Sequence, residues 1–319
     1  MITGAHSVPK GTVLEADVVI IGTGAAGISL AFKFAHSSLN IILVESGKMA
    51  RDNHMQELND FELTGLPIRP LSRIRSFGGT TTLWGGKWKP HDAMDFSPRD
   101  WVPHSGWPID RKELDTYYRE SSDLLDMPST FHKDTYGFLE SELLKTHPFG
   151  NAPEEYLDFG KRFSKRISES EHIRMYVEAT VVGLEHREHT VEHVRIKTLQ
   201  GNEFRAKGRI VILACGGIEN ARLLLLSGIG NEFDQVGRYY MDHPKGNVGT
   251  IALINPEEVD VSQTVGFGLS EKAQRENRVL NSYVLFFPVY RRNERLNKLP
   301  KLLRIFVHYG CTRVIAHPR

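Results

Sequence analysis

Apolar positions near the N-terminus fall in short unbroken runs. Asp17-Val-Val-Ile-Ile21 is one and Ile41-Ile-Leu-Val44 is another. Runs this short and this uniformly apolar predict strands buried on both faces. Between them, Gly22-Thr-Gly-Ala-Ala-Gly27 leads into an apolar stretch of helical length, Ile28–Ala35. The same succession returns far downstream: Arg209-Ile-Val-Ile-Leu213, the small-residue turn Ala214-Cys-Gly-Gly217, then Ile218–Ser227 stopped by Gly228. It predicts that the chain comes back to the sheet it started. Leu223 to Leu226 make the second helix apolar nearly all round, which predicts burial. From about 172 to 204, short alternating runs around Gln200-Gly-Asn202 predict antiparallel strands. Further strands are expected at Val248–Ile254 and Val279–Val289.

Between the two strand–turn–helix units lies a different pattern. Asp110 after Pro108, with Glu113 three residues on, reads as the capped start of a helix. Leu114, Tyr117, Tyr118, Ser121 and Leu125 then follow one helical stripe, so the tyrosines are expected to pack. The competing reading, a carbohydrate platform formed with Trp101 and Trp107, rests only on nearness in sequence.

The first unit has a chemical logic. Gly22 permits a tight turn, Gly24 lets the backbone approach a pyrophosphate and meets any need for positive φ, and Gly27 lets helix pack closely on strand. Thr23, Ala25 and Ala26 complete the turn, where helix N–H groups face the phosphates. Glu45, followed by Ser46, ends the second strand where it can accept hydrogen bonds from an adenosine ribose. A second glycine-rich loop, Phe77-Gly-Gly-Thr-Thr-Thr-Leu-Trp-Gly-Gly86, can lie against a pyrophosphate or a flat ring. With the return segment at Ala214, it favours FAD over an NAD-dependent dehydrogenase.

Composition narrows the field further. Forty basic and 39 acidic side chains nearly cancel among 319 residues, leaving no net field to collect nucleic acid or a membrane surface. Cys215 and Cys311 are too few and too far apart for a disulfide framework, and no stretch of about 20 apolar residues exists to span a bilayer. Residues 1–16 lack the apolar core of a signal peptide, so the expected location is cytoplasmic. The 14 histidines show no paired metal-ligand spacing, and no metal is expected. His186, His189 and His193 sit in a polar hairpin-like stretch, whereas His91 and His104 flank the second glycine loop.

The order of these motifs resembles the glucose–methanol–choline (GMC) oxidoreductases. Ala214-Cys-Gly-Gly-Ile-Glu-Asn-Ala-Arg-Leu-Leu-Leu-Leu-Ser-Gly-Ile-Gly230 is similar to that family's second signature, and Val236-Gly-Arg-Tyr-Tyr-Met-Asp-His-Pro244 to the segment after it. The loop Gly78–Gly86, Ser105-Gly-Trp-Pro-Ile109 and Leu114-Asp-Thr-Tyr-Tyr118 look most like the sugar-oxidising branch. The resemblance spans about residues 16–245. It implies an α/β chain: a Rossmann-like FAD-binding domain with an antiparallel β-meander at 12–90 and 160–245, a helical and loop insertion at 91–159, and an incomplete α+β substrate domain at 246–319.

By motif, the resemblance implies that Gly22, Thr23, Gly24, Ala25, Ala26, Gly27, Glu45 and Ser46 hold the ADP half of FAD. Gly78, Gly79, Thr80, Thr82, Leu83, Trp84, Gly85 and Gly86 then approach the pyrophosphate and flavin, and Val181, Ala214, Cys215 and Gly216 surround the adenosine. Some sugar oxidases of the family tether the flavin through a histidine just before the loop tryptophan. Leu83 stands there, so FAD is expected to be non-covalent. The implied activity is oxidation of a CH–OH group of a small alcohol or sugar, with hydride passing to flavin N5 and an unidentified acceptor. The family's catalytic histidine and its partner have no match before Arg319, and His243 in the Asp-His-Pro turn is expected to position rather than to act as a base. A fragment and a truncated, non-catalytic FAD-binding remnant therefore both stay open.

Overall fold

The computed structural model describes residues 1–65, 72–127, 141–241, 265–285 and 314–317. The chain begins with β1 (Ile2–Gly4), β2 (Val13–Ile21), α1 (Ala25–Ala35), β3 (Ile41–Val44) and α2 (Asn53–Gln56). Next come β4 (Lys87–Trp88), α3 (Asp115–Leu124), β5 (Leu144–Pro148) and β6 (Gly150–Asn151). The third stretch holds α4 (Phe159–Ser168), β7 (Ile173–Val177), β8 (Thr180–Arg187), β9 (Thr190–Lys197), β10 (Glu203–Leu213) and α5 (Gly217–Ser227). The last holds β11 (Val265–Leu269), α6 (Glu271–Asn277), β12 (Asn281–Leu285) and β13 (Val314–His317). Contacts divide these into two compact units, Met1–Gly86 with Ala152–Tyr240, and Lys87–Asn151 with Met241–Arg319.

The first unit is an α/β fold on one seven-stranded sheet, ordered β1-β7-β3-β2-β10-β9-β8. From β1 to β10 every neighbouring pair is parallel, and β9 and β8 continue as an antiparallel meander. Val18, Val19 and Ile20 of β2 and all four residues of β3 are buried, as their unbroken apolar runs require. On one face α1 and α4 pack together, with the rings of Phe32 and Phe163 edge to face at 5.2 Å. Each such side chain removed from water contributes about 1.5–3 kcal/mol. β10 returns to the side of β2 with Ile210 opposite Val18 and Leu213 opposite Ile21, so the turn after β10 lies beside the turn after β2.

Three expectations are corrected in this unit. β7 is parallel to both β3 and β1 and does not belong to the antiparallel set. It follows α4 as the second strand of a crossover and is buried accordingly, with only Arg174 of its five residues partly open. Secondly, α5 is not buried all round: Leu223 is 2% exposed, but Leu225 and Leu226 are 50% and 58% exposed. The helix meets β8 along one side only, and a four-leucine run necessarily points around its whole circumference. Its stop is as expected, with Gly228 at φ +68°. Thirdly, positive φ belongs to Gly22 at +102°, whereas Gly24 sits at −71°, a value open to any residue. β1 had no signal in the apolar pattern. It is three residues long, and the Met1 ammonium anchors it by donating to the Ile173 carbonyl at 3.0 Å.

The second unit carries a four-stranded antiparallel sheet, β13-β12-β11-β5, and the short pair β4–β6. Val248–Ile254 and His243 lie outside the described residues, and β12 covers 281–285 of the expected 279–289 strand. The capping box forms: the Asp110 N–H donates to Glu113 Oε1 at 2.8 Å, and the Glu113 N–H donates to Asp110 Oδ1 at 3.1 Å. The tyrosine stripe does not pack as expected. Tyr117 is 61% exposed, and Ser122 is the buried residue of α3. The helix is mostly polar, and Tyr118 is held instead by the Arg111 guanidinium, 4.7 Å above its ring. Trp107 is exposed too.

The second unit also buries an ionic network. Asn281, fully buried, donates from Nδ2 to Asp92 Oδ2 at 2.9 Å and to Asp95 Oδ1 at 3.1 Å, while Arg99 Nη2 lies 3.1 Å from Asp95 Oδ1. Burial pushes the Asp95 carboxyl up, but hydrogen bonds from His91, Asn281 and the Asp92 backbone and the charge of Arg99 outweigh it and hold it at about 2.

Candidate functional site

Three glycine turns converge at one edge of the first unit. The Gly22 N–H donates to the Val44 carbonyl at 2.8 Å, and the Ala214 N–H donates to the Ile21 carbonyl at 2.8 Å. A Cβ on Gly22 would lie 2.5 Å from the Ala214 oxygen, and one on Gly27 would lie 2.0 Å from the Gly22 oxygen. The turns after β2 and β10 are therefore in backbone contact, and only glycine fits there. The second glycine loop closes over them. A Cβ on Gly79 would sit 3.0 Å from the Gly24 Cα, and one on Gly78 2.5 Å from the Gly160 nitrogen.

Gly24 and Gly216 differ from these. A Cβ at either position would meet no atom within 4 Å. Gly24 is the N-cap of α1 and Gly216 that of α5, and neither cap carries a side-chain hydrogen bond. Ala25 and Ala26, in the first turn of α1, are exposed. Two helix N-termini, each with donors at its end and positive dipole character, thus border open space beside glycine backbone.

Glu45 closes the site on the β3 side. Its carboxylate accepts from the Thr23 hydroxyl at 2.5 Å and the Thr23 N–H at 3.2 Å on one oxygen, and from the Gly47 N–H at 2.7 Å on the other. Burial pushes its carboxyl up, opposed by the Thr23 hydroxyl, the Gly47 and Thr23 N–H groups and the charge of Arg75. The Ala179 N–H donates to the Glu45 carbonyl at 2.9 Å, which brings the start of β8 and Val181 close behind it. Val181 itself is buried in the core.

The loop residues divide by role. Thr81 is spent locally, donating to the Gly78 carbonyl at 2.6 Å and accepting from the Phe159 N–H at 3.2 Å. Thr82 donates to the Gly79 carbonyl at 2.9 Å. Trp84 donates from its indole nitrogen to the Leu157 carbonyl at 2.6 Å and meets the Phe159 ring edge-on at 5.8 Å. Leu83, Thr80 and Gly85 are exposed, and Gly86 is buried. Cys215 is half-buried, and burial with the charges of Glu219 and Glu45 pushes its thiol up to about 11, so it stays protonated. Sequence reasoning overlooked Asn220, whose Oδ1 accepts from the Cys215 N–H at 3.0 Å and whose Nδ2 donates to the Leu213 carbonyl at 3.3 Å. Those two bonds hold the third turn in shape. An amide three residues after the Gly216-Gly217 pair was the available signal.

These features fit a dinucleotide. Open space at Gly24 and Gly216 suits a pyrophosphate and its approach, and a buried acceptor-only carboxylate suits a ribose diol. The candidate histidines belong to the second unit. His91 has Nδ1 3.9 Å from Asp95 Oδ2 and its ring edge-on to Phe96, and His104 is exposed at φ +57°. Among the described residues, no group of three His, Cys, Asp or Glu is placed to hold a metal ion, and no helix is long and apolar enough to cross a membrane.

Parts of the chain are similar to known proteins. Residues 161–245 match the N-terminal family model of the GMC oxidoreductases, and residues 17–56 match an FAD-binding domain. Paromamine 6'-oxidase of Streptomyces fradiae is 30% identical over 117 residues, which cover 32% of this chain and 21% of that protein. The fructose dehydrogenase large subunit of Gluconobacter japonicus is 22% identical over 72% of this chain and 59% of its own length. A formate oxidase from Aspergillus oryzae is 18% identical with a TM-score of 0.47, the likeness covering 92% of this chain and 64% of the oxidase. The chain thus spans about a fifth of one curated relative and about three-fifths of the other. The segments at 17–56 and 161–245 thus carry a likeness to FAD-binding domains and to the N-terminal part of the GMC oxidoreductases, and the cofactor these matches support is FAD.

Proposed function

We propose that this protein is an FAD-dependent oxidoreductase acting on a CH–OH group of a small alcohol or sugar, with the flavin bound non-covalently. The observation that carries the reading is the convergence of the three glycine turns on open space at Gly24 and Gly216 beside the buried Glu45 carboxylate. The substrate class is taken from the relatives, one named as an oxidase of paromamine and one as a dehydrogenase of fructose.

In this reading Gly22 to Gly27 hold the pyrophosphate with the N-terminus of α1, Glu45 and Ser46 the ribose, and Val181 with Ala214 to Gly216 the adenosine. The stretch from Gly78 to Gly86, with Thr80, Leu83 and Gly85 exposed, faces the flavin. FAD, when bound, supplies a two-electron acceptor at N5 for the substrate's hydride. Trp84 and Thr81, pinned to the segment at 157–159, keep the loop in place and help to exclude water. Leu83 offers no nucleophile for a covalent link. Met1–Gly86 with Ala152–Tyr240 serves as the cofactor domain.

A second reading is an FAD-binding protein without turnover. It is favoured by His91, which is turned onto Asp95 and Phe96. A positioned base is typically worth about 10²–10⁴-fold in such chemistry. Anaerobic mixing of the flavin-loaded protein with sugars and primary alcohols separates the two. Substrate-dependent loss of flavin absorbance supports the enzyme, and a flavin that stays oxidised with every compound supports the second reading.

A further inference from the structure

A buried charged cluster lies behind the ribose side of the site, and the functions above do not use it. Arg75 precedes the second glycine loop, and its side chain is 11% exposed. Its Nη1 donates to Ser46 Oγ at 3.0 Å, its Nε donates to Asn59 Oδ1 at 2.7 Å, and its Nη2 lies 3.0 Å from Glu219 Oε2. Ser46 Oγ in turn donates to Glu45 Oε1 at 3.5 Å. One guanidinium thus joins Ser46, two residues past β3, the turn after α2 and the first turn of α5.

We infer that Arg75 is a positioning residue for the adenosine half of the cofactor, keeping the Glu45 carboxylate charged and aimed through Ser46. The inference rests on the FAD reading above. A ribose presents two hydroxyl donors, and a carboxylate can accept both only while ionised; protonation turns one of its oxygens into a donor. Glu45 is buried, which favours the neutral form.

Among the groups around Glu45, Thr23 and the Gly47 N–H are neutral donors, Cys215 is a protonated thiol, and Glu219 is an anion. Beside the adjoining Gly47 backbone, Lys48 pairs with Asp52 at 2.9 Å and Glu178 lies 3.7 Å from His6 Nδ1. Arg75 adds a cation whose field, after the Thr23 and Gly47 hydrogen bonds, opposes the effect of burial on Glu45. Its charge is not cancelled by Glu219, because that carboxylate is shared: Arg73 lies 2.9 Å from Oε1, and Arg222 lies 2.9 Å from Oε2.

The test is FAD affinity as a function of pH, read from quenching of flavin fluorescence, for the wild-type, Arg75→Gln and Arg75→Lys chains, with folding checked by circular dichroism. The sign follows from Glu45. Affinity falls as pH drops through the carboxyl's pKa, and removing a nearby cation raises that pKa, so the fall must begin at higher pH. Arg75→Gln is expected to bind FAD at least fivefold more weakly at neutral pH, with its acid midpoint displaced upward. Arg75→Lys, which keeps the charge but loses the fork, is expected to hold the wild-type midpoint with a smaller loss. A glutamine chain with the wild-type midpoint, however weak its binding, overturns the inference. If the glutamine chain does not fold, the lysine chain decides: a held midpoint supports the inference, and an upward shift overturns it. Failure of the wild-type chain to bind FAD at any pH defeats the FAD reading itself.

Discussion

A methyl group on Gly79 would lie 3.0 Å from the Cα of Gly24, so the second glycine loop rests directly on the first. Fifty-five residues apart in sequence, the two backbones form one wall of the proposed cofactor site. Gly24 itself stays open, because a Cβ there meets nothing within 4 Å and its φ of −71° suits any residue. Gly24→Ala should therefore fold normally, with unfolding free energy within about 1 kcal/mol of wild type. Its FAD affinity should drop at least tenfold, roughly 1.4 kcal/mol, because the methyl occupies the space assigned to the pyrophosphate. Thermal unfolding without FAD and an FAD titration measure the two halves separately.

Gly27→Ala should behave in the opposite way. Its methyl would fall 2.0 Å from the Gly22 carbonyl oxygen, a backbone atom fixed by the tight turn, so helix and strand must separate. The expected cost is roughly 3 kcal/mol of stability, visible in the apo-protein before any cofactor is added. Wild-type stability for this variant would show that the turn is looser than its contacts imply.

Much of the fold around the candidate site was legible because local signals and long-range pairing agree. The buried runs of β2 and β3, the glycine spacing and Glu45 state one strand–turn–helix–strand unit, and the repeat at β10 and α5 states its return. Other features depend on partners that no local pattern reveals. Arg73 and Arg75 meet Glu219 across 146 and 144 residues, and β7 reads like its antiparallel neighbours until the crossover through α4 is known. The α3 stripe misled for another reason: its period is helical, but a helix this polar need not bury its tyrosines, and Tyr117 faces solvent.

The second unit should carry an acid-labile element centred on Asp95. Its carboxyl is held at about 2 against an ordinary value of 3.8, so it stabilises the fold above the unfolded value and loses that contribution as pH falls from about 4 through 2. The shift corresponds to about 2 kcal/mol. Asp95→Asn should lower stability at pH 7 and flatten the acid limb of a plot of stability against pH. An unchanged acid limb would show that the network with Asn281 and Arg99 does not hold the charged form.

Because Leu83 offers no atom for a covalent bond, acid precipitation of the flavin-loaded protein should release the FAD into the supernatant. Flavin absorbance retained in the washed pellet would mean that another side chain forms the link.

The central claim is that this chain folds a working FAD site from its three glycine turns, and titration of the purified, folded protein with FAD tests it most directly. The account predicts saturable binding of one FAD per chain, seen as flavin fluorescence quenching and a yellow protein, and weakened at least tenfold by Gly24→Ala. A folded chain that takes up no FAD after reconstitution, or one whose binding Gly24→Ala leaves unchanged, would contradict it.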